Sequence, residues 1–332
     1  MRKQKAESGP DTAQLPRWLD FHRSMHIIRQ VESRLATLFA DGEIPGFIHL
    51  SIGQEASAVG VCAALELADT IASTHRGHGH AVAKGMALDR FFLEILGKDE
   101  GACRGRSGSM HIADMGVGML GANGIVGGGL PLAIGSALAH KLKGNGAVAV
   151  ACFGDGAMAE GILHEALNIA SLWKLPVLFV CDNNGWSEFS ATKDVISLDL
   201  PQLARAFGIA SRHLRGDDVV AVAEAAGQLV DAIRGDGAPR LIELHTRRIR
   251  GHFEGDAQRY RHDDAADRED PLVNHESRLL RAGVTPERLA EIAEAARGEV
   301  EAALQIARAG RAACAVGALD AVYAQRGAAR YG

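Results

Sequence analysis

The stretches AVAVACFGDG (residues 147–156) and PVLFVCDNNG (residues 176–185) decide the fold of this chain. Each begins as a short apolar run, which is typical of a strand buried on both faces of a sheet, and ends in a small polar cluster. Between them, apolar residues recur at helical spacing from Leu163 to Trp173. A strand, a helix and a second strand in this order form a βαβ unit, so the sequence predicts a parallel sheet.

The rest of the chain adds further elements to this unit. Periodicity and breaker residues predict helices at residues 12–40, 88–96, 201–208, 217–234 and 285–308. They predict strands at residues 68–74 and 241–246, a His/Gly-rich loop at 75–80, a long loop at 97–130 and a mobile loop at 247–270. With no internal repeat or clear linker, we expect one α/β domain over residues 15–275, after a disordered tail over 1–14. Residues 276–332 are expected to form a helical extension of that domain.

Composition and charge exclude several classes of protein. The chain has 332 residues and a net charge of −5, which argues against non-specific binding to nucleic acid. It contains no run of about 18 apolar residues, so no membrane span is expected. Its five cysteines are widely spaced and form no CxxC pair, and the basic N-terminus lacks the apolar core of a secretory signal. We therefore expect a reduced, cytoplasmic protein.

The polar clusters at the two strand ends predict a metal–diphosphate site. In an open parallel sheet, ligands bind outside the carboxyl ends of the strands, where Asp155 and Asn184 both lie. Their carboxylate and amide oxygens suit Mg²⁺, which prefers a few protein oxygens together with the phosphates of a ligand. The flanking glycines allow backbone N–H groups to approach phosphate, and a helix expected to start near Ala157 would point its positive end at it.

The motifs also resemble those of a known family. Gly154-Asp155-Gly156, 26 residues and then Asn183-Asn184 is similar to the signature of thiamine-diphosphate enzymes. Over roughly residues 15–325, further segments resemble the α subunit of thiamine-diphosphate-dependent 2-oxo acid and acetoin dehydrogenases. These segments are Thr74–Gly79, Gly108–His111, Gly121–Gly127 and Arg250–Asp256. The sequences THRGHGH, MLGANG and HFEGD are most similar to acetoin dehydrogenase α chains. The resemblance implies the thiamine-diphosphate-binding fold, a parallel sheet with helices on both faces and helical extensions at both termini.

The same resemblance implies roles for individual residues. Asp155 and Asn184 match the side-chain ligands of Mg²⁺, and Trp186 stands where a backbone carbonyl completes the metal's coordination. Arg76 resembles the residue that clamps the diphosphate, a task suited to a planar bidentate group. The remaining matches to cofactor-binding positions are His75, Gly124, Val126, Gly156, Ala157 and His252. His252 resembles a histidine that closes over the cofactor, and we expect it and His78 to assist proton transfer.

The resemblance also implies a reaction and partners. An α chain of this family works with a β subunit in an α₂β₂ assembly, and the β subunit supplies a glutamate that activates the cofactor. The complex cleaves acetoin or decarboxylates a 2-oxo acid such as pyruvate, and passes the acyl group to a lipoylated acyltransferase. Four positions depart from pyruvate-type chains: His75 replaces Tyr, Ala159-Glu160 replaces Asn-Gln, and Phe253 replaces a Ser that can be phosphorylated. A biosynthetic thiamine-dependent acyl transferase and a non-catalytic subunit remain alternatives.

Several other residues have simpler structural interpretations. His75, His78 and His80 could form a zinc site, but no Cys or carboxylate beside them completes a ligand set. The basic run 247–250 fits a strand-end face or phosphate-facing loop better than a nucleic-acid patch. Trp173 is expected in the core, and the Asp217-Asp218 pair is expected to cap a helix.

Overall fold

A six-stranded, all-parallel sheet lies at the centre of the computed structural model, which describes residues 12–197, 199–261, 270–314 and 318. The strands are β1 (Thr70–Ala72), β2 (Met119–Gly121), β3 (Ala149–Gly154), β4 (Val177–Asn183), a separate antiparallel pair β5 (Trp186–Ser187) and β6 (Ser190–Ala191), β7 (Ala210–Arg215) and β8 (Arg240–His245). The helices are α1 (Leu15–Ala40), α2 (Glu55–Cys62), α3 (His78–Ala83), α4 (Leu88–Ile95), α5 (Gly129–Lys143), α6 (Gly161–Trp173), α7 (Thr192–Val195), α8 (Leu200–Ala206), α9 (Val219–Asp236), α10 (Pro271–Arg281) and α11 (Pro286–Arg308).

Helices cover both faces of the sheet, as the resemblance implied. Successive side chains of a strand point to opposite faces, and β3 shows this directly. Val150 and Cys152 pack into one hydrophobic cluster with α1, α4, α9 and α11, while Ala151 and Phe153 pack into another with α5, α6 and α8. Burial on both faces explains why β3 and β4 are continuous apolar runs, and the predicted fold class is confirmed.

The strand order places a crevice beside β1. The sheet runs β2-β1-β3-β4-β8-β7, so the chain passes from β1 to the edge strand β2 and returns to the other side of β1 as β3. The connection after β1 therefore runs to one side of the sheet and the connection after β3 to the other, which opens a crevice at the carboxyl ends of β1 and β3. This is the place where an open parallel sheet binds its ligands.

Helix α11 packs along α1 and joins the same hydrophobic cluster. Ion pairs Arg23–Glu299 and Arg34–Glu301 link the two helices, with Val300 and Leu304 buried between the helices and the rest of the core. The domain limit expected at residue 275 falls inside α10. Residues 1–11 of the expected disordered tail lie outside the described part of the chain, and residues 12–14 form a short 3₁₀ turn.

Several expectations were wrong in detail. The segment 97–130, expected to be a loop, contains β2 and the first two residues of α5, and the His/Gly-rich segment 75–80 already enters α3 at His78. The sequence did not predict α2 or the edge strand β7. Trp173 is 48% exposed at the end of α6 and does not belong to the core.

Other expectations hold. Asp218 caps α9 by accepting hydrogen bonds from two backbone N–H groups, and Cys152 and Cys181 are buried core residues. All five cysteines are free. Among the described residues, no helix has the length and apolar character needed to cross a membrane.

Candidate active site

A cavity of about 340 Å³ opens at the carboxyl ends of β1, β3 and β4, within the size range of small-molecule sites. The ten residues expected to bind a cofactor all line it: His75, Arg76, Gly124, Val126, Asp155, Gly156, Ala157, Asn184, Trp186 and His252. They come from segments far apart in sequence, which the parallel sheet brings to one edge. His78, expected to be catalytic, does not line the cavity.

Asp155 and Asn184 meet at the floor of the cavity. In the β3–β4 register Gly154 lies opposite Asp182, so the residues that follow both strands leave the sheet together. The Asp155 carboxylate accepts hydrogen bonds from the backbone N–H of Asn184 and from the Thr192 hydroxyl. Because the side chain is only 2% exposed, burial raises the pKa of Asp155 above its ordinary value. A cation placed there would relieve this cost.

Gly156 allows a close approach between the backbone and Ser187. A Cβ built on Gly156 would lie 2.7 Å from the Ser187 hydroxyl and 3.2 Å from its Cβ, so a larger residue would force Ser187 to move. Gly156 and Ala157 lie in a 3₁₀ turn, Asp155–Ala159, and α6 begins only at Gly161. The helix expected to start near Ala157 therefore starts later. Glu160, the departure noted above, is exposed and does not line the cavity.

Arg76 connects two walls of the cavity. Its guanidinium donates to the backbone carbonyls of Leu50, at 2.6 Å, and His252, at 2.9 Å. Carbonyls do not neutralise the charge, and the side chain is largely buried, so Arg76 presents a positive charge to any anion in the cavity. The second contact also fixes the position of the backbone at His252.

The segment around His252 is closed by its own hydrogen bonds. Asp256 accepts from the backbone N–H of His252, at 2.7 Å, and from the Tyr260 hydroxyl, at 2.6 Å. Arg248 donates to Tyr260 at 2.7 Å and is 1% exposed. Arg247 is also buried, so the basic run does not form a nucleic-acid patch. Residues 262–269 of the expected mobile loop lie outside the described ranges, and its mobility stays a prediction.

Three imidazoles, here called the histidine cluster, form one side of the cavity: His49, His75 and His252. The ring centroids lie 4.6 Å apart for His49–His75, 5.0 Å for His49–His252 and 5.4 Å for His75–His252. Nδ1 of His49 and Nε2 of His75 are buried without a hydrogen-bond partner. Burial, reinforced by Arg76, lowers the pKa of His49 to about 3, of His75 to about 2 and of His252 to about 4. All three rings are therefore neutral at pH 7.

Sequence reasoning missed His49. It stands alone in the apolar segment GFIHL, where nothing in spacing or composition separates it from a core histidine. The zinc trio considered from the sequence is dispersed instead. Of those three residues only His75 reaches the cluster, while His80 lies 2.9 Å from Ser73 through Nδ1.

His78 belongs to a buried hydrogen-bonded chain behind the cavity wall. Its Nδ1 lies 3.1 Å from a Glu32 carboxylate oxygen and its Nε2 lies 2.8 Å from the Ser109 hydroxyl. The other Glu32 oxygen accepts from Ser51 at 2.6 Å. Since His78 and Glu32 have no exposed surface, His78 does not contact a ligand in the cavity directly. Ser109 precedes Met110, which does line it.

The donor set fits a hard cation with a diphosphate. Asp155 offers a buried carboxylate and Asn184 an amide oxygen, while Gly156 lets the backbone approach closely and Arg76 supplies the positive charge. A metal chelated by these oxygens could therefore carry a phosphorylated cofactor within this cavity.

Comparison with known proteins agrees with the resemblance seen in the sequence. The family model described as "Dehydrogenase E1 component" matches residues 23–314. The α subunit of acetoin:2,6-dichlorophenolindophenol oxidoreductase is 48% identical in Bacillus subtilis, over 80% of this chain and 79% of that protein. The Cupriavidus necator protein of the same name is 44% identical, over 92% and 94%. The pyruvate dehydrogenase E1 component subunit alpha of Zymomonas mobilis is 39% identical, over 87% and 83%. This chain belongs to the dehydrogenase E1 component family.

Proposed function

We propose that this chain is the α subunit of a thiamine-diphosphate- and Mg²⁺-dependent dehydrogenase component that cleaves acetoin or decarboxylates a 2-oxo acid such as pyruvate. The observation that carries the proposal is the meeting of Asp155 and Asn184 on the floor of a cavity lined by all ten expected cofactor-binding residues. Acetoin is the favoured substrate, because the two acetoin-named relatives are 44% and 48% identical, against 39% for the pyruvate-named relative from Zymomonas mobilis.

Particular residues are proposed to bind each part of the cofactor. Asp155, Asn184 and the Trp186 backbone carbonyl would hold Mg²⁺, and Arg76 would bind the diphosphate that the metal carries. The Gly156 and Ala157 amides would also contact the diphosphate, and the backbone of Gly124 and Val126 would contact the aminopyrimidine ring. When bound, thiamine diphosphate supplies a carbon nucleophile and an electron sink.

His252 is the residue we propose for proton transfer at the cavity. Arg248 Nη1 lies 3.1 Å from His252 Nδ1, and a guanidinium can only donate, so Nδ1 must accept. The proton of the neutral ring is therefore on Nε2, where it is available to an oxygen of the substrate. His78 acts indirectly in this proposal: its bond to Ser109 positions the segment that carries Met110.

The cavity also indicates where a partner subunit would complete it. Gly124, Ile125 and Val126 lie at its rim and are exposed, Ile125 to 73%. We propose that a β subunit covers this rim in an α₂β₂ assembly and contributes the glutamate that activates the cofactor. A lipoylated acyltransferase would then accept the acyl group. A cytoplasmic location remains an expectation from cysteine usage.

The test is calorimetry of thiamine diphosphate with Mg²⁺, using the full-length chain alone and co-expressed with its β subunit. We expect tight binding in the mixed sample only, abolished by Asp155→Ala. Turnover of acetoin and pyruvate with a lipoylated acceptor then identifies the substrate. Binding with transfer to a different acceptor would favour a biosynthetic acyl transferase, and the absence of binding in both samples would leave a non-catalytic subunit.

A further inference from the structure

The histidine cluster resembles an ion site in geometry. One ring nitrogen from each of His49, His75 and His252 lies within 4.8 Å of the other two, which no other set of three or more His, Cys, Asp or Glu among the described residues achieves. Three imidazoles bound tetrahedrally to an ion at about 2.0–2.1 Å place their ring centroids about 5 Å apart. The observed separations are 4.6, 5.0 and 5.4 Å. Small side-chain rotations would therefore complete the site.

Two ring nitrogens of the histidine cluster also lack hydrogen-bond partners. His49 is only 9% exposed, yet its Nδ1 makes no hydrogen bond, and the buried Nε2 of His75 makes none either. An unpaired buried polar atom costs on the order of 1–3 kcal/mol, so a ligand that pairs with these nitrogens is favoured. Because the rings are neutral at pH 7, each has one lone pair. In His252 this lone pair lies on Nδ1, where it accepts from Arg248, so binding of an ion by His252 requires this hydrogen bond to break or the proton on Nε2 to leave.

We propose that the histidine cluster binds a borderline divalent transition-metal ion, Zn²⁺ foremost, and that the bound ion obstructs the cavity and inhibits the enzyme. Three imidazoles with an open fourth position suit Zn²⁺, whereas Mg²⁺ prefers the oxygens of Asp155 and Asn184. The cavity thus has two chemically separate cation sites, one of oxygens on its floor and one of nitrogens on its side.

Neighbouring charges set the strength of this site. Arg76 and Arg248 both lower the affinity of the cluster for cations, as their effect on the pKa of His252 shows, whereas Asp256 acts in the opposite sense. Among the residues that the structure describes, no carboxylate joins the three nitrogens. We therefore expect weaker binding than in a structural zinc site, so that the ion is reversible and removable by a chelator.

Cobalt(II) is the probe that tests the proposal, with the purified full-length chain free of thiamine diphosphate. Tetrahedral nitrogen ligation gives intense visible d–d absorption, and displacement by Zn²⁺ reports the zinc affinity. We expect one such site per chain. His49→Gln should weaken zinc binding by more than about 100-fold, since even the loss of an outer-shell partner costs 10- to 100-fold. The matched control is His213→Gln, because His213 is exposed on β7 and forms a pair with His245 at 5.9 Å. It should leave the affinity unchanged.

A second variant gives a positive signal. His49→Cys should keep the site and add a thiolate-to-cobalt charge-transfer band in the near ultraviolet, and this result stands even if His49→Gln does not fold. A weak octahedral cobalt spectrum, an unchanged zinc affinity in His49→Gln, or an equal loss in His213→Gln would overturn the proposal. Since thiamine diphosphate is absent from these samples, their outcome is independent of the cofactor assignment. Zinc inhibition of acetoin turnover, reversed by a chelator, is the functional consequence and rests on the proposed function.

Discussion

The backbone N–H of Asn184 donates a hydrogen bond to the carboxylate of Asp155, although residues 156–183 separate the two in sequence. The contact joins the ends of neighbouring strands, and the residue it satisfies is a buried acid. Burial at this point opposes the ionised form that a metal site needs. The floor of the cavity is therefore less stable without a cation than with one.

Replacement of Asp155 is predicted to change the stability of the fold and the binding of the cofactor in opposite directions. A buried carboxylate with a raised pKa destabilises the fold at pH 7, where it is ionised, and this cost disappears as the pH falls. We expect Asp155→Asn to raise the urea midpoint of the cofactor-free protein at pH 7 while abolishing Mg²⁺-dependent binding of thiamine diphosphate by the assembled subunits. Asp89→Asn, outside the cavity, is the control and should retain binding. Cofactor binding at wild-type strength by Asp155→Asn would contradict the proposed site.

Gly156 offers a test by paired substitution. Gly156→Ala places a methyl group 2.7 Å from the Ser187 hydroxyl, so we expect cofactor affinity to fall at least tenfold as β5 shifts. Ser187→Gly removes the obstructing atoms, and the double variant should recover most of the lost affinity in the same calorimetric assay. Gly161→Ala is the control, because a Cβ there meets nothing within 4 Å. An affinity loss that Ser187→Gly does not relieve would place the conflict elsewhere.

The chain behind the cavity wall is predicted to be a stability element. His78→Ala leaves the buried Glu32 carboxylate without one of its partners, so we expect the free energy of unfolding to fall by about 3–5 kcal/mol in urea titrations. His213→Ala, at an exposed position on β7, should change it by less than about 0.5 kcal/mol. If the double variant with Glu32→Gln recovers part of the free energy of unfolding that His78→Ala loses, the cost comes from the unpaired charge. A full loss of turnover with unchanged stability would instead restore His78 as a catalytic residue.

Buried histidines where α1 and α10 meet are expected to make the fold less stable in acid. His22 is 1% exposed, neither ring nitrogen has a hydrogen-bond partner, and its ring lies 4.4 Å from His26 and 6.0 Å from His275. Burial lowers the pKa of His22 from 6.5 to about 3. As the pH falls, the unfolded chain therefore takes up the proton at a higher pH than the folded chain does. The free energy of unfolding is highest above pH 6.5 and decreases as the pH falls towards 3.

The pH dependence can be assigned with one variant. At pH 5 the contribution of His22 is a loss of about 2 kcal/mol relative to pH 7. His22→Leu should shrink the difference between the free energies of unfolding at pH 7 and pH 5, measured by urea titration, by that amount. His213→Leu, at an exposed position on β7, should leave the difference as in the wild type. An unchanged difference in His22→Leu would assign the acid sensitivity to other buried histidines.

Much of the fold was predictable because its central strands carry a strong signal. β3 and β4 are buried on both faces, and burial leaves an unbroken apolar run in the sequence. The edge strand β7, ASRHLR, is mostly exposed and reads as polar, while β2 has only three residues. α5 begins in a glycine-rich segment, so its start was hidden by residues typical of loops.

The site was predictable where one motif contained it. Asp155 and Asn184 bracket a single βαβ unit, so spacing alone places them together. The histidine cluster could not be found this way, because His49 and His252 are brought to His75 only by tertiary packing. The position of His78 behind the cavity wall was hidden for a related reason: a His-rich stretch does not reveal which imidazoles face the cavity and which enter a buried network.

The packing of α11 against α1 has a consequence during synthesis. On a ribosome adding about 5–20 residues per second, α1 emerges on the order of 10–50 s before α11. Throughout that interval the apolar face of α1, including Val31 and Leu35, lacks the surface that finally covers it. We expect nascent chains of this protein to need a holding chaperone until α11 has left the exit tunnel.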